Sequence, residues 1–336
     1  MSLNEIIILG IETTAHTFGV GIFSSLKGIL ANVNDAYVPL EGGIHPREAA
    51  EHHASVAHKV LSKALSIANV KMEDITAVAA SFGPGLGPCL RVGCSVARAL
   101  AAHYSKPLVP VNHCVAHIEI ARYLLKVSDP LVVYVSGGNT IIAAYSDGRY
   151  RVFGETLDIA LGNCLDVFAR EIGLGLPGPP HLEEKAKKAK KFIELPYIVK
   201  GQDLSLSGLL TKALEIASSD TNYSLEDLCY SFIETAYGML IEVTERALAH
   251  TRKNSVVLTG GVARSKVLQK KLEIMCKLHS VNFMTVPAEY AGDNGGMIAY
   301  TGYLCYSHGI TIPVEKSYIR PRWRLDEVDI PWFKQD

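Results

Sequence analysis

The run Asn112-His113-Cys114-Val115-Ala116-His117 holds the residues whose spacing points most directly to chemistry. Asn112 is a good N-cap, so His113 and His117 fall at i and i+4 on one face of a helix, where two imidazoles can reach one metal ion. A pair of ordinary helix histidines has the same spacing, and the pattern alone leaves both readings open. Two familiar uses of such histidines fail on the residue letters. A zincin protease needs Glu directly after the first His, and that position is Cys114. A zinc deaminase would join His117-Ile118-Glu119 to a P-C-x-x-C loop, but Pro88-Cys89-Leu90-Arg91 lacks the second cysteine.

A second set of candidates is built from glycine: Gly83-Pro84-Gly85-Leu86-Gly87, Gly137-Gly138, Gly260-Gly261 and Gly292-Asp293-Asn294-Gly295-Gly296. Glycine after a strand lets backbone N–H groups approach phosphate or ribose oxygens, which suggests a nucleotide site. No Walker A sequence is present, and Gly173-Leu174-Gly175-Leu176-Pro177-Gly178 follows a helical pattern rather than a strand, so its G-x-G-x-x-G spacing is coincidental. Asp293 reads either as a metal-binding carboxylate or as the cap of a helix that begins near Met297. Asp166 and Glu183 lie in helical patterns, where acids usually face water. Lys185 to Lys191 packs five lysines into seven residues, a solvated helix face or a contact for a phosphate backbone. Arg320, Arg322 and Arg324 surround Trp323 in the tail. His45, Arg47, Glu48, Glu51, His52, His53 and His58 crowd a further polar stretch that lines a cleft or faces solvent.

The elements that would position these residues follow from the hydrophobic pattern. Ile6–Ile11 and Phe18–Phe23 read as two strands joined by the polar turn Glu12-Thr13-Thr14. A helix over 46–68, a strand over 75–81 and a helix over 92–104 come next. Near Asp129-Pro130 the hairpin recurs as Leu131–Val135 and Ile141–Tyr145 around Ser136-Gly137-Gly138-Asn139-Thr140. Helical patterns over 156–173, 181–191, 206–217 and 224–252 then lead to a buried strand, Ser255–Thr259. A repeated hairpin at the head of two α/β halves is the mark of a duplicated α/β fold with a cleft between its halves.

Composition narrows the class. With 48% hydrophobic and 20% charged residues, the 336-residue chain is long enough for about two domains and is neither disordered nor low in complexity. No apolar stretch approaches the length of a membrane span, and no basic region precedes the first apolar run, so a cytoplasmic protein with no membrane association is expected. The seven cysteines are scattered and never spaced C-x-x-C, which argues for reduced thiols and against a thiolate zinc site. A net charge of −1 excludes a globally basic nucleic-acid binder but not a local basic patch.

Taken in order, these segments resemble one family over nearly the whole chain. It is the tRNA threonylcarbamoyladenosine transferases, in the form that serves as catalytic subunit of the archaeal and eukaryotic KEOPS complex and was formerly called the O-sialoglycoprotein endopeptidase family. The resemblance is carried by Gly10 to Thr17, His45 to His53, Gly83 to Leu86 with Leu90 to Gly93, the His113/His117 pair, Ser136 to Thr140, Leu165 to Glu171, Gly260 to Ala263 and Gly292 to Gly295. The tail Arg322-Trp323-Arg324-Leu325-Asp326-Glu327-Val328 resembles the archaeal and eukaryotic branch. The resemblance implies a duplicated actin/sugar-kinase/Hsp70-like (ASKHA) fold, with an N-terminal lobe over 1–128, a C-terminal lobe over 129–296, and a helix and tail over 297–336 returning toward the first lobe. It further implies one divalent metal, Fe or Zn, on His113, His117 and Asp293, with Tyr134 as an additional ligand.

By the same resemblance Ser136, Gly137, Gly138, Asn139 and Thr140 would serve the phosphate, and Asp166, Gly178 and Glu183 the ribose. Gly261 would border the adenine. This chain departs from the family pattern in Gly178-Pro179-Pro180, where Gly-Gly-Pro is usual, in Ser265, where the family usually has Asn, and in Leu206, which replaces an aromatic. Pro179 removes one backbone donor at the ribose, and Ser265 shortens a nucleotide contact. The implied reaction takes the threonylcarbamoyl group from threonylcarbamoyl-AMP to N6 of the adenosine 3′ of the anticodon in tRNAs that read codons beginning with A, with His113, His117 and Asp293 at the catalytic centre. ATP or AMP would occupy the same nucleotide site. The implied partners are tRNA, a separate small protein kinase and other small KEOPS subunits. Three rivals remain: a kinase or ATPase of the same fold, which needs no histidine–aspartate metal set, a metalloendopeptidase, which Cys114 disfavours, and a non-catalytic nucleotide-binding scaffold.

Overall fold

The computed structural model describes residues 5–39, 43–219 and 223–333. The chain divides into two units, one formed by residues 1–123, 148–150 and 293–336, the other by 124–147 and 151–292.

In the first unit, β1 (Ile7–Glu12), β2 (Thr17–Ser24) and β3 (Gly28–Ala36) form an antiparallel meander, and its first two strands are the hairpin read from the sequence. After α1 (Pro46–Ala68), β4 (Ala77–Gly83) pairs parallel to β1; after α2 (Gly87–His103), β5 (Leu108–Asn112) pairs parallel to β4. The sheet order is β3-β2-β1-β4-β5, and α3 (His113–Leu125) follows β5 directly. Every residue of β1, β2 and β4 is buried, which explains why these strands read as nearly continuous apolar or small runs.

The second unit repeats the plan. Its sheet holds β6 (Leu131–Val135), β7 (Thr140–Ser146) and β8 (Arg149–Glu155). The helices α4 (Leu161–Glu171) and α5 (Gly178–Ala186), the short strands β9 (Val199–Lys200) and β10 (Asp203–Leu204), and then α6 (Ser207–Ser218) and α7 (Leu225–Thr251) precede the last two sheet strands. These are β11 (Ser255–Thr259) and, beyond α8 (Lys266–Leu278), β12 (Asn282–Thr285). Read from its other end, the order β12-β11-β6-β7-β8 becomes β8-β7-β6-β11-β12 and follows that of the first sheet: β6 and β7 are antiparallel, β11 runs parallel to β6, and β12 parallel to β11. After the four-residue α9 (Ala288–Ala291), the chain closes the first unit with α10 (Gly295–Ser307).

Helix α10 lies against β1 and β2 at a distance that only glycine allows. A Cβ on Gly10 would stand 2.1 Å from the backbone nitrogen of Ala299, and one on Gly295 would stand 2.2 Å from the backbone of Gly21.

Two expected helices are shorter than their patterns. The helix expected over 156–173 starts only at Leu161, because Asp158 turns the chain: its carboxylate accepts from the N–H groups of Ile159 and Leu206 at 2.8 and 2.9 Å. The helix expected over 181–191 stops at Ala186. The N–H groups of Lys190 and Lys191 instead donate to Asp227 Oδ1 at 2.6 and 2.8 Å, so a carboxylate on α7 takes donors that a longer helix would have needed. The five lysines therefore do not share a helix. All seven cysteines are free and buried, as reduced thiols should be.

Candidate metal centre

The centre starts where β5 ends. Asn112 Oδ1 accepts from the N–H groups of Cys114 and Val115 at 2.9 and 3.1 Å, so the expected cap starts α3 at His113. One helical turn then brings the rings of His113 and His117 edge to face with centroids 4.7 Å apart, both buried.

The third member arrives from 176 residues further along. Asp293 Oδ1 lies 3.5 Å from His113 Nε2 and 3.2 Å from His117 Nε2. The reading of Asp293 as a helix cap is corrected here: the cap of α10 is its neighbour Asn294, whose side chain accepts from Met297 N–H at 2.9 Å. Asp293 is thereby left to face the histidines, at a place set by the close packing of α10 on β1 and β2. The three ligand atoms lie within 4.8 Å of one another. Bonds of about 2.0–2.2 Å in a tetrahedral site put neighbouring ligands roughly 3.4 Å apart, so the two separations from Asp293 suit a single ion, and two imidazoles with a carboxylate suit a divalent first-row metal.

Behind His113 stands Glu12, the last residue of β1, wholly buried. Its Oε2 lies 3.0 Å from His113 Nδ1, and its Oε1 accepts from the N–H and the hydroxyl of Thr14 at 2.6 and 2.5 Å. A carboxylate on Nδ1 holds a proton there and leaves Nε2, the nitrogen on the Asp293 side, as the atom a metal would take, the usual outer-shell arrangement of a metal-bound histidine. Sequence reasoning passed over Glu12 as part of a turn. The available signal was an acid closing an otherwise apolar strand.

Burial opposes every charge in this cluster, and the ion pairs decide who keeps one. At His113 the burial penalty is outweighed by Glu12 and Asp293, which push the imidazole up to about 9. At Asp293 burial is likewise overcome, by the charge of His113 and the His117 hydrogen bond, and the carboxyl is held well below the usual range. At His117 burial dominates and lowers the pKa. The Asp293 carboxylate thus lies between one histidine whose charged form is favoured and one whose charged form is disfavoured, and a divalent ion would compete with protons for the same ligand atoms.

The remaining site candidates lie in the second unit. Tyr134, buried on β6, accepts from Asn139 Nδ2 at 3.3 Å. The Ser136–Asn139 turn is closed by Ser136 Oγ accepting from Asn139 N–H at 3.0 Å, while Gly137 and Gly138 leave open space where a side chain would stand. Thr140 is buried, and its hydroxyl oxygen accepts from Leu161 N–H at 2.8 Å, at the start of α4. Asp166 and Gly178 meet, the carboxylate accepting from Gly178 N–H at 2.7 Å. Glu183 and Ser265 also meet: the Ser265 hydroxyl donates to Glu183 Oε1 at 2.5 Å while capping α8 by accepting from Leu268 N–H at 3.0 Å. Tyr237 donates to the same carboxylate oxygen at 3.0 Å. Gly261 again leaves open space. Of the other histidines singled out, His53 is buried on α1 against the Ala15 carbonyl at 3.1 Å, and His52 meets Asp35 at 2.9 Å.

Comparison with known proteins decides the family. The model of the TsaD family, tRNA N6-adenosine threonylcarbamoyltransferase, matches residues 28–300. A protein of that description from Thermofilum pendens is 61% identical over 97% of this chain and 96% of its own length. The chain belongs to this family. A second threonylcarbamoyltransferase, from Staphylothermus marinus, is 55% identical over 97% of this chain and all of its own length. Among solved structures, component A of the (R)-2-hydroxyglutaryl-CoA dehydratase of Acidaminococcus fermentans superposes with a TM-score of 0.59 at 18% identity, covering 89% of this chain and 98% of that one. HypF of T. kodakarensis superposes with a TM-score of 0.64 at 15% identity over 90% of this chain and 48% of its own. At such identities these likenesses speak for the fold alone, which is the duplicated α/β ASKHA architecture that the repeated strand order already displays. No helix among the described residues is long and apolar enough to cross a membrane.

Proposed function

We propose that this chain moves the threonylcarbamoyl group of threonylcarbamoyl-AMP to N6 of the adenosine 3′ of the anticodon, in tRNAs reading codons that begin with A. The observation that carries the reading is membership of the threonylcarbamoyltransferase family over almost the full length, joined to a His113, His117 and Asp293 donor set whose separations suit one ion.

In this reaction the N6 lone pair attacks the carbamoyl carbon, the bond from that carbon to the AMP oxygen breaks with its electrons leaving on the phosphate, and the amine proton passes to solvent. A divalent ion, iron or zinc, would supply Lewis-acid polarisation of the acyl group when bound. His113, His117 and Asp293 would hold it, with Tyr134 as the proposed further ligand. Glu12 keeps His113 in the tautomer that offers Nε2. The open glycines of the 136–140 turn offer N–H groups to the leaving phosphate, and Asp166, Gly178, Glu183, Gly261 and Ser265 take the nucleoside. Partner subunits of a KEOPS-type complex, a small protein kinase among them, and a cytoplasmic setting complete the proposal.

The test is to incubate metal-loaded protein and its partner subunits with threonylcarbamoyl-AMP and unmodified tRNA, and to measure the modified nucleoside by mass spectrometry. Stoichiometric release of AMP with modified adenosine is expected; a complete reaction that yields neither would reject the reading. Glu12→Gln should keep the fold and weaken metal affinity about 10- to 100-fold, since the neutral amide oxygen accepts from His113 Nδ1–H more weakly than the carboxylate and brings no charge to support the bound ring. Competition against a chelator of known affinity reads this directly, and parental affinity would remove Glu12 from the metal's support.

A further inference from the structure

The tail segment Arg320-Pro321-Arg322-Trp323, with Glu327, walls a cavity of about 400 Å³ in the first unit. Its charges are unevenly spent. Arg320 pairs with Glu327 at 3.1 Å and stacks on the Trp323 ring, 4.3 Å from its centroid. Arg324 pairs with Asp326 at 3.1 Å. Arg322 is exposed and has no carboxylate partner among the described residues. The Trp323 indole N–H, buried in the same wall, has no acceptor among the described residues. Two guanidiniums and one carboxylate leave the cavity with one positive charge in excess.

The segment is held rigidly, and what holds it leads to the metal centre. Arg320 N–H donates to Phe82 O at 2.7 Å, and Gly85 N–H donates to Pro321 O at 3.1 Å. Asn112 Nδ2 donates to Trp323 O at 3.1 Å. Asn112 is the cap of α3 and the residue before His113. The same glycine turn reaches Thr14 through Leu86 N–H at 2.7 Å, and Thr14 reaches Glu12. Through Asn112 the Trp323 backbone is held one residue from His113.

We propose that the cavity seats one phosphodiester of the RNA backbone beside the reacting adenosine, with Arg322 as the cation that meets it. The inference rests on tRNA being the substrate. A planar guanidinium matches two phosphate oxygens at once, and a rigid backbone beside an arginine-capped aromatic is a surface suited to RNA rather than to an acidic peptide, which has no reason to approach the metal. In a chain of net charge −1, local placement of such a cation matters more than overall charge.

The probe is a synthetic anticodon stem-loop with an unmodified adenosine 3′ of the anticodon, its binding to the full chain followed by fluorescence anisotropy at several salt concentrations. Arg322→Ala should weaken binding about tenfold and reduce the slope of log K against log salt by about 0.7–0.9, the share of one phosphate. Arg322→Lys should keep the slope and recover part of the affinity. Zinc uptake should be the same in all three proteins. An unchanged slope in Arg322→Ala overturns the proposal, as does failure of the parent chain to bind this RNA. Loss of an acidic protein partner with RNA binding intact also overturns it and makes the cavity a protein interface. Parent protein that binds this RNA yet modifies no tRNA in the complete reaction rejects the functional reading, with the salt slope still deciding the cavity.

Discussion

His117→Ala is expected to abolish metal uptake and transfer while the chain stays folded. The imidazole is fully buried and offers Nε2, 3.2 Å from Asp293 Oδ1, as one of three donors. Structural zinc sites bind with about 10–16 kcal/mol over four ligands, so one ligand is worth roughly 2.5–4 kcal/mol, a loss of about 70-fold or more in affinity. The fold should survive because the helix is held elsewhere. Asn112 caps its first turn, and Cys114, Val115, Ile118 and Ile120 bury its apolar residues. The lost hydrogen bond to Asp293 should cost the metal-free protein about 1–3 kcal/mol. Metal analysis of the purified variant, with a melting curve beside it, separates the two effects. A variant that melts cooperatively and still carries a full equivalent of metal would refute the assignment.

The second large effect lies away from the chemistry. Gly295→Ala is expected to destabilise the first unit by about 3 kcal/mol or more, because the new methyl would sit 2.2 Å from the backbone of Gly21 and Val20. A flexible side chain could move aside, but this neighbour is the backbone of β2, bonded on one side to β1 and on the other to β3. Helix α10 must therefore lift, and Asp293, two residues before Gly295, moves with it. Gly10→Ala meets the same barrier from the sheet side, with Ala299 N at 2.1 Å. Both variants should lose stability and metal affinity together, measured by denaturant titration and chelator competition. Parental stability in either would show that α10 does not depend on this contact to place Asp293.

These variants separate two kinds of information. The His113/His117 pair was legible in the letters because an N-cap and a spacing of four are local properties of one helix, and Asn112 caps α3 as its residue type suggests. The two hairpins were legible for the same reason, since strand, polar turn and strand are neighbours in the chain. Neighbouring letters misled where a distant group intervened. The lysine run looked helical to Lys191, but Asp227 takes the N–H groups of Lys190 and Lys191 and ends the helix at Ala186. Asp293 reads as a possible cap from its neighbours, but Asn294 holds that place.

What no window of the sequence contained was the approach of Asp293 to two histidines 180 and 176 residues earlier. Nor did any window show the burial of Glu12 behind His113. Helix pitch and turn chemistry act over a few residues and can be read from their types. A metal centre needs donor atoms brought to within an ångström or so of fixed positions, and here that is done by packing between segments that meet only in the folded chain. Glycines at 10, 21 and 295 let α10 come down onto the sheet, and the depth of that contact, rather than any motif around Asp293, makes an ambiguous acid into a ligand.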